Sequence, residues 1–204
     1  MYKRQAYNCQ AVNLHNFHKD PDEVIRLYHR ADSLLGESNL QSQRPLVCAN
    51  LADAYLFKNR LVEAAAWYRR ALFLVDSLEL PKQYNVTLYM GLATIYQQLN
   101  DWKTSLRYYQ QTEACMKSMS VGMQAYFLNN YGNYYYYAKD YEASLRKFVA
   151  LKSLLEKHHM QDNFDMFICK VNLADVYLNL NRLDSTVHYL SLIHISEPTR
   201  HSLI

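Results

Sequence analysis

His15 and His18 stand three residues apart with Asp20 and Asp22 just downstream, and nothing else in the chain comes nearer to a metal site. Side chains at i and i+3 share a helix face, so two imidazoles and a carboxylate could converge there. Two histidines without a third firm ligand do not make a site, and the solvated end of a degenerate helix is the expected reading. His158 and His159 are consecutive, diverge on a helix and cannot easily chelate together. Cys9, Cys48, Cys115 and Cys169 are widely spaced with no CxxC pair, so helix-packed thiols are expected. The chain has no phosphate loop, nucleophile elbow, HExxH run or paired-carboxylate constellation. With only four glycines to support catalytic loops, it is expected not to be an enzyme, and no metal or other cofactor is expected.

What remains is a question of binding, and composition narrows it. Half of the 204 residues are hydrophobic, with four Gly and four Pro, which favours long helices over strands and turns. A formal charge of +3 is too small and too scattered to argue for nucleic acid. No apolar run approaches the roughly 18 residues that span a bilayer, so this segment is expected to bind neither nucleic acid nor membrane.

The elements that must position any binding residue repeat along the chain. Ala52, Ala93, Gly132 and Ala174 recur every 39 to 42 residues. Each is followed three positions later by Tyr55, Tyr96, Tyr135 or Tyr177, and twelve positions later by Ala64, Ser105, Ser144 or Thr186. A fixed period decides architecture before any local reading does. Within Pro45–Asp76, Cys48, Leu51, Ala52 and Tyr55 lie at helical spacing, and so do Leu61, Ala64, Ala65, Tyr68, Ala71, Leu72 and Val75. Asn59 between them tolerates the left-handed conformation that closes a helix. So short a connection makes the two helices antiparallel. Breaks are expected near Asn59, Asn100, Lys139 and Asn181, with Asp101 and Asp140 capping the helices that follow. Asp20-Pro21-Asp22-Glu23 reads as a further helix start, and Tyr28 and Ala31 match Tyr68 and Ala71.

The run Asn50-Leu51-Ala52-x-x-Tyr55, Glu63-Ala64, Tyr68, Ala71-Leu72 resembles the tetratricopeptide repeat. So does Tyr131-Gly132-Asn133-x-Tyr135 with Asp140-Tyr141-Glu142-Ala143-Ser144. The resemblance covers roughly residues 6–190, as units of about 6–44, 45–81, 82–120, 121–162 and 163–190, the last truncated. It implies an all-α fold, a right-handed superhelical array of antiparallel helix hairpins, an α-solenoid whose first helices line a concave face. Thr112 and Leu151 depart from it where Ala71 has a small residue, and the period is longer than the family's usual one. The longer form is similar to bacterial regulatory arrays that precede a membrane helix and a signalling or DNA-binding module.

On a helical wheel at about 100° per residue, Leu128, Tyr131, Gly132 and Tyr135 face the partner helix. Tyr126, Asn129, Asn133, Tyr136 and Tyr137 occupy a separate arc that the resemblance turns to the concave face. The same wheel adds Thr87, Met90, Thr94, Gln97 and Gln98, then Ala49, Asp53 and Phe57, then Asp175 and Asn179. Amides can bond a peptide main chain, and tyrosine gives contact area with only two torsions to freeze. An ordinary solvated helix face has the same composition. Some arrays of this family hold a C-terminal carboxylate with Lys and Asn on this face. Asn129 and Asn133 fit that pattern but no Lys does, so that mode is not expected. The expected function is a protein-interaction scaffold that binds a peptide or partner segment on the concave face. The alternative is the sensor portion of a membrane-linked signalling or transcription-regulatory protein, which would place it in the periplasm rather than the cytoplasm.

Both ends break the pattern. Met1-Tyr-Lys-Arg-Gln5 and Ser191–Ile204, with its Pro198, resemble adaptor-derived translations at the ends of metagenomic reading frames, and both are expected to be non-native. The chain is accordingly read as an internal fragment, whose start does not set its compartment. A final hairpin cut at Leu190 is expected to leave Leu173, Tyr177 and Leu180 short of a partner, favouring self-association there.

Overall fold

A residue in the left-handed region stands at each expected turn: Asn59 at φ 56°, Asn100 at 60°, Lys139 at 63° and Asn181 at 56°. At each turn the N–H three residues beyond the helix reaches back to the repeated tyrosine. Arg60, Asp101, Asp140 and Arg182 donate to the carbonyls of Tyr55, Tyr96, Tyr135 and Tyr177 at 2.9 to 3.0 Å. This is the Schellman closure, which satisfies carbonyls that a helix end would otherwise orphan. Asp101 and Asp140 then cap the next helix, accepting from the Thr104 and Ala143 amides at 3.1 and 3.0 Å. Glu79 and His159 adopt the same backbone conformation at the ends of second helices, where the sequence shows neither Gly nor Asn.

The structure is a computed structural model that describes residues 20–160 and 163–196. His15, His18, Cys9, the first helix expected of the first unit, Met1–Gln5 and residues 197–204 lie outside the described residues. Among the described residues the chain is helical: α1 (Pro21–Gly36), α2 (Arg44–Phe57), α3 (Leu61–Ser77), α4 (Asn85–Gln98), α5 (Trp102–Ala114), α6 (Val121–Tyr137), α7 (Tyr141–Lys157), α8 (Phe164–Asn179) and α9 (Leu183–Ser196). Helices α2 and α3, α4 and α5, α6 and α7, and α8 and α9 pair as hairpins. Two compact units divide the chain, Met1–Cys115 and Met116–Ile204.

Within a hairpin the helices cross where both carry a small residue. Ala52, Ala93, Gly132 and Ala174 are buried, as are Ala64, Ser105, Ser144 and Thr186. Ser105 Oγ donates to the Ala93 carbonyl at 2.8 Å, and Ser144 Oγ to the Gly132 carbonyl at 2.9 Å. The twelve-residue spacing is therefore a contact between helices. A Cβ on Gly132 would lie 2.6 Å from Phe148 Cε1, so that ring occupies the space a side chain would need. Thr112 and Leu151, the departures from a small residue, are buried, and Thr112 Oγ1 bonds back to the Tyr108 carbonyl at 2.9 Å.

In the first unit a buried carboxylate joins three helices. Asp32 of α1 accepts from Arg44 Nε of α2 at 2.8 Å and from an Arg70 terminal nitrogen of α3 at 2.9 Å. Cys48 Sγ lies 3.8 Å from the same carboxylate.

Two features of the C-terminal region bear on the expectations made there. The helix runs six residues past Leu190, to Ser196, because Ser191–Ser196 contains no Gly or Pro, and Pro198 disfavours helix only at its immediate neighbour. Leu173 is fully buried and Tyr177 stacks on Tyr189 of α9 with centroids 5.6 Å apart, so both have partners within the chain.

Replacing Gly132 by Leu should cost about 1–3 kcal/mol by overpacking the crossing against Phe148. Gly122, with nothing within 4 Å of an added Cβ, should accept Ala without loss. Urea unfolding of both variants tests the register. Asp32→Ala strands Arg44 in a mostly buried position and should cost about 3–5 kcal/mol, read as a lowered urea midpoint at constant slope.

Candidate peptide-binding face

In the second unit, the arc drawn from the wheel exists as a surface. Helix α6 presents Tyr126 and Tyr137, 59% and 63% exposed, with Asn129, Asn133 and Tyr136 half-buried between them. The next first helix, α8, lies alongside and extends it. Asn172 Nδ2 donates to Asn129 Oδ1 at 2.9 Å, and Asn179 Nδ2 donates to the Tyr136 hydroxyl at 3.2 Å. Both bonds join residues 43 apart, so the two helices are pinned rung to rung along this face. Asn179 Nδ2 also bonds the Asp175 carbonyl at 2.8 Å. The ring of Tyr136 is held edge-on against Tyr137 and Tyr141, with centroids 5.7 and 5.6 Å away. Asp175 is exposed on the same stripe.

Asn172 and Tyr141 were not singled out from the sequence. Asn172, Asp175 and Asn179 lie at i, i+3 and i+7, so the wheel for α8 already held the first of them. Tyr141 starts the second helix, and only the folded turn brings it to Tyr136.

The tyrosine run divides differently from the expectation for one residue. Tyr131 is buried as expected, but Tyr135 is only half-buried, stacked on Tyr131 at 4.8 Å with their hydroxyls 3.0 Å apart. Tyr134 is buried in its place, continuing the stripe Phe127, Tyr131, and burial raises its phenol pKa. Lys147 sits over the Tyr131 ring, 4.4 Å from its centroid.

In the first unit the corresponding residues are more engaged. Asp53 accepts a hydrogen bond from the Tyr68 hydroxyl, and Gln97 Oε1 accepts from the Tyr109 hydroxyl at 3.3 Å. Thr94 Oγ1 bonds back to the Met90 carbonyl at 3.1 Å. Phe57, Thr87 and Gln98 are exposed and Ala49 is half-buried. Met90 is a correction: it is buried, because α4 approaches closely enough at Gly91 that an added Cβ would collide with the Tyr68 ring.

Cys48 and Cys169 are buried, and burial pushes both thiols up to about 12, so they stay protonated at neutral pH. Among the described residues no group of three or more His, Cys, Asp or Glu could hold a metal ion, and no helix is long and apolar enough to cross a membrane.

With this geometry in view, comparison with known proteins is informative. Residues 47–82 and 88–114 match the tetratricopeptide repeat family. The structure resembles BtubC (BKLC) from P. vanneervenii, with TM-score 0.86 at 19% identity over 98% of this chain and 82% of that one. It resembles a Rap protein complexed with competence and sporulation factor, with TM-score 0.73 at 16% identity over 93% of this chain and 52% of that one. It also resembles a signal transduction ATPase with a tetratricopeptide repeat sensor from Pyrococcus horikoshii, with TM-score 0.80 at 15% identity over 93% of this chain and 28% of that one. At these identities the structural likeness speaks for the fold. No curated protein matches the chain in sequence.

The Asn129–Asn172 bond is partly solvent-exposed, and such a bond contributes about 0.5–1.5 kcal/mol. A double-mutant cycle with Asn129→Ala and Asn172→Ala should show coupling of about that size in urea unfolding. Additive losses would mean that the two helices are not pinned through these amides.

Proposed function

Residues 47–82 and 88–114 match the tetratricopeptide repeat family, and from that premise we propose that the chain is a protein-interaction scaffold that takes an extended peptide across the face of α6 and α8. The observation that carries this reading is the pair of rungs, Asn129–Asn172 and Tyr136–Asn179. Each rung uses only part of its hydrogen-bonding capacity. Asn129 keeps its amide N–H groups and Asn172 its carbonyl, which together match the donor and acceptor of a peptide main chain. Tyr126 and Tyr137 flank the amides and supply apolar contact to side chains. The amides hold one another in place before a ligand arrives, which lowers the ordering cost of binding. Asp175 favours a ligand that carries positive charge nearby. The Rap neighbour, solved with competence and sporulation factor, supports a bound ligand on this fold.

A second reading, a sensor array within a larger signalling protein, is favoured by the likeness to the ATPase that carries a tetratricopeptide repeat sensor. Binding on the same face would then be the sensing event.

The test is selection of peptides from a displayed random library on the unmodified chain, followed by titration of the selected peptides. Asn133→Ala with Tyr136→Ala should weaken binding about 30-fold, the loss expected when an interface residue worth about 2 kcal/mol is removed. Helicity should stay close to that of the parent, with stability lowered by no more than the loss of the Tyr136–Asn179 bond, about 0.5–1.5 kcal/mol. Tyr131→Ala, at a buried ring, should lower the melting temperature instead. Selected peptides that bind the double variant as tightly as the parent would exclude this face.

A further inference from the structure

The residue directly after the small one of each first helix keeps one register, and two of the four are aspartates. Asp53 follows Ala52, Thr94 follows Ala93, Asn133 follows Gly132 and Asp175 follows Ala174. None of the four is buried. In the first unit the carboxylate has a partner, since the Tyr68 hydroxyl of α3 donates to Asp53 across 15 residues of chain. The residue 15 positions after Asp175 is Leu190 of α9, which has no donor to offer. Asn179 Nδ2 bonds the Asp175 main-chain carbonyl at 2.8 Å and leaves the carboxylate alone. Among the described residues no hydrogen bond or ion pair reaches that carboxylate.

Helix α8 does not stabilise the charge either. Asp165 lies in its first turn, where the helix dipole favours a carboxylate, but Asp175 lies one turn from the C-terminal end, where the dipole opposes it. The residues three and four positions away are Val171, Asn172, Leu178 and Asn179, so no Lys or Arg forms a pair within the helix. Helix α6 alongside contains no charged residue. Lys170, the one cation of α8, stands about 160° around the helix from Asn172, whereas Asp175 stands about 60° from it. Asp53 is exposed although α4 follows alongside α2, so this register is open to solvent even where a further hairpin comes after it. A charge that folding leaves uncompensated marks a place reserved for a ligand.

We infer, on the reading of the α6 and α8 face as a peptide site, that its ligand is a basic peptide, and that Asp175 selects it by pairing with the ammonium or guanidinium group of a Lys or Arg side chain. Asn179 Nδ2 bonds both the Tyr136 hydroxyl and the Asp175 carbonyl, so the Tyr136 side chain reaches the same turn and can cover the aliphatic stem of the bound residue. Cβ atoms three residues apart on a helix are about 5–6 Å apart. An extended chain advances about 3.3 Å per residue, which puts the basic residue within about two positions of the peptide group held by Asn129 and Asn172. An acidic segment finds no cation on this face to receive it.

The probes are peptides selected on the unmodified chain from a displayed random library. They should share a Lys or Arg at one fixed position. Exchange of that residue for Gln, or Asp175→Asn in the chain, should each weaken binding about fivefold, the upper range for a partly exposed charge pair. The two changes together should cost no more than either alone. Asp175→Asn should not lower the melting temperature, because it removes a charge that the helix opposes, and Asp175→Lys should select peptides with Asp or Glu at that position. Selected peptides that share no basic residue, or that bind Asp175→Asn as tightly as the parent, would overturn the assignment. If Asn133→Ala with Tyr136→Ala still weakens those peptides, the face stands and only the basic ligand is lost. If it does not, the peptide site itself is lost as well.

Discussion

The close crossing of the two helices in each hairpin is the constraint on which the other features depend. Where Ser144 Oγ reaches the Gly132 carbonyl, the backbones are near enough that no side chain fits at position 132, and the Phe148 ring closes the gap. That proximity fixes which residues of each helix face inward. It also explains why the connecting turn is so short, since helices held this closely need only the Schellman closure and one capping residue between them. A carbonyl that accepts both within its helix and from a serine is fully satisfied, so the crossing adds packing without stranding a polar group.

From that crossing the position of the polar face follows. A first helix must give one flank to its partner and, where a hairpin precedes it in the same unit, a second flank to that hairpin, as α8 does where Cys169 Sγ donates to the Phe148 carbonyl of α7. The exposed and half-buried positions hold Tyr126, Asn129, Asn133 and Tyr137 on α6, and Asp175 and Asn179 on α8. The first unit uses the same positions more conservatively. There Asp53 and Gln97 receive hydrogen bonds from Tyr68 and Tyr109, so their polar groups help hold the hairpin.

How much of this could be read from the residues depends on whether the interaction is local. The turns at Asn59, Asn100, Lys139 and Asn181, the caps at Asp101 and Asp140, and the small-residue register are local, and all were legible. The tyrosines at 126, 136 and 137 and the amides at 129 and 133 were placed on one arc by helix geometry alone. Missed features depend on pairing between hairpins. The carboxylate of Asp32 meets Arg44 and Arg70, residues 12 and 38 positions away on two other helices, and no spacing rule announces that triad. Met90 is drawn inward by the approach at Gly91, which a single-helix wheel does not contain. The burial of Tyr134 in place of Tyr135 was likewise not visible on the wheel of one helix.

The chemistry of the polar face limits what it suits. An extended peptide must leave water with its own amide groups unpaired, and side-chain amides such as those of Asn129 and Asn172 can replace that water. A helix has already paired its main chain and offers only side chains, so the same amides would give it little in return. The bond between Asn129 and Asn172 fixes both side chains before any ligand is present, so the donor and acceptor they keep are held in place by the fold.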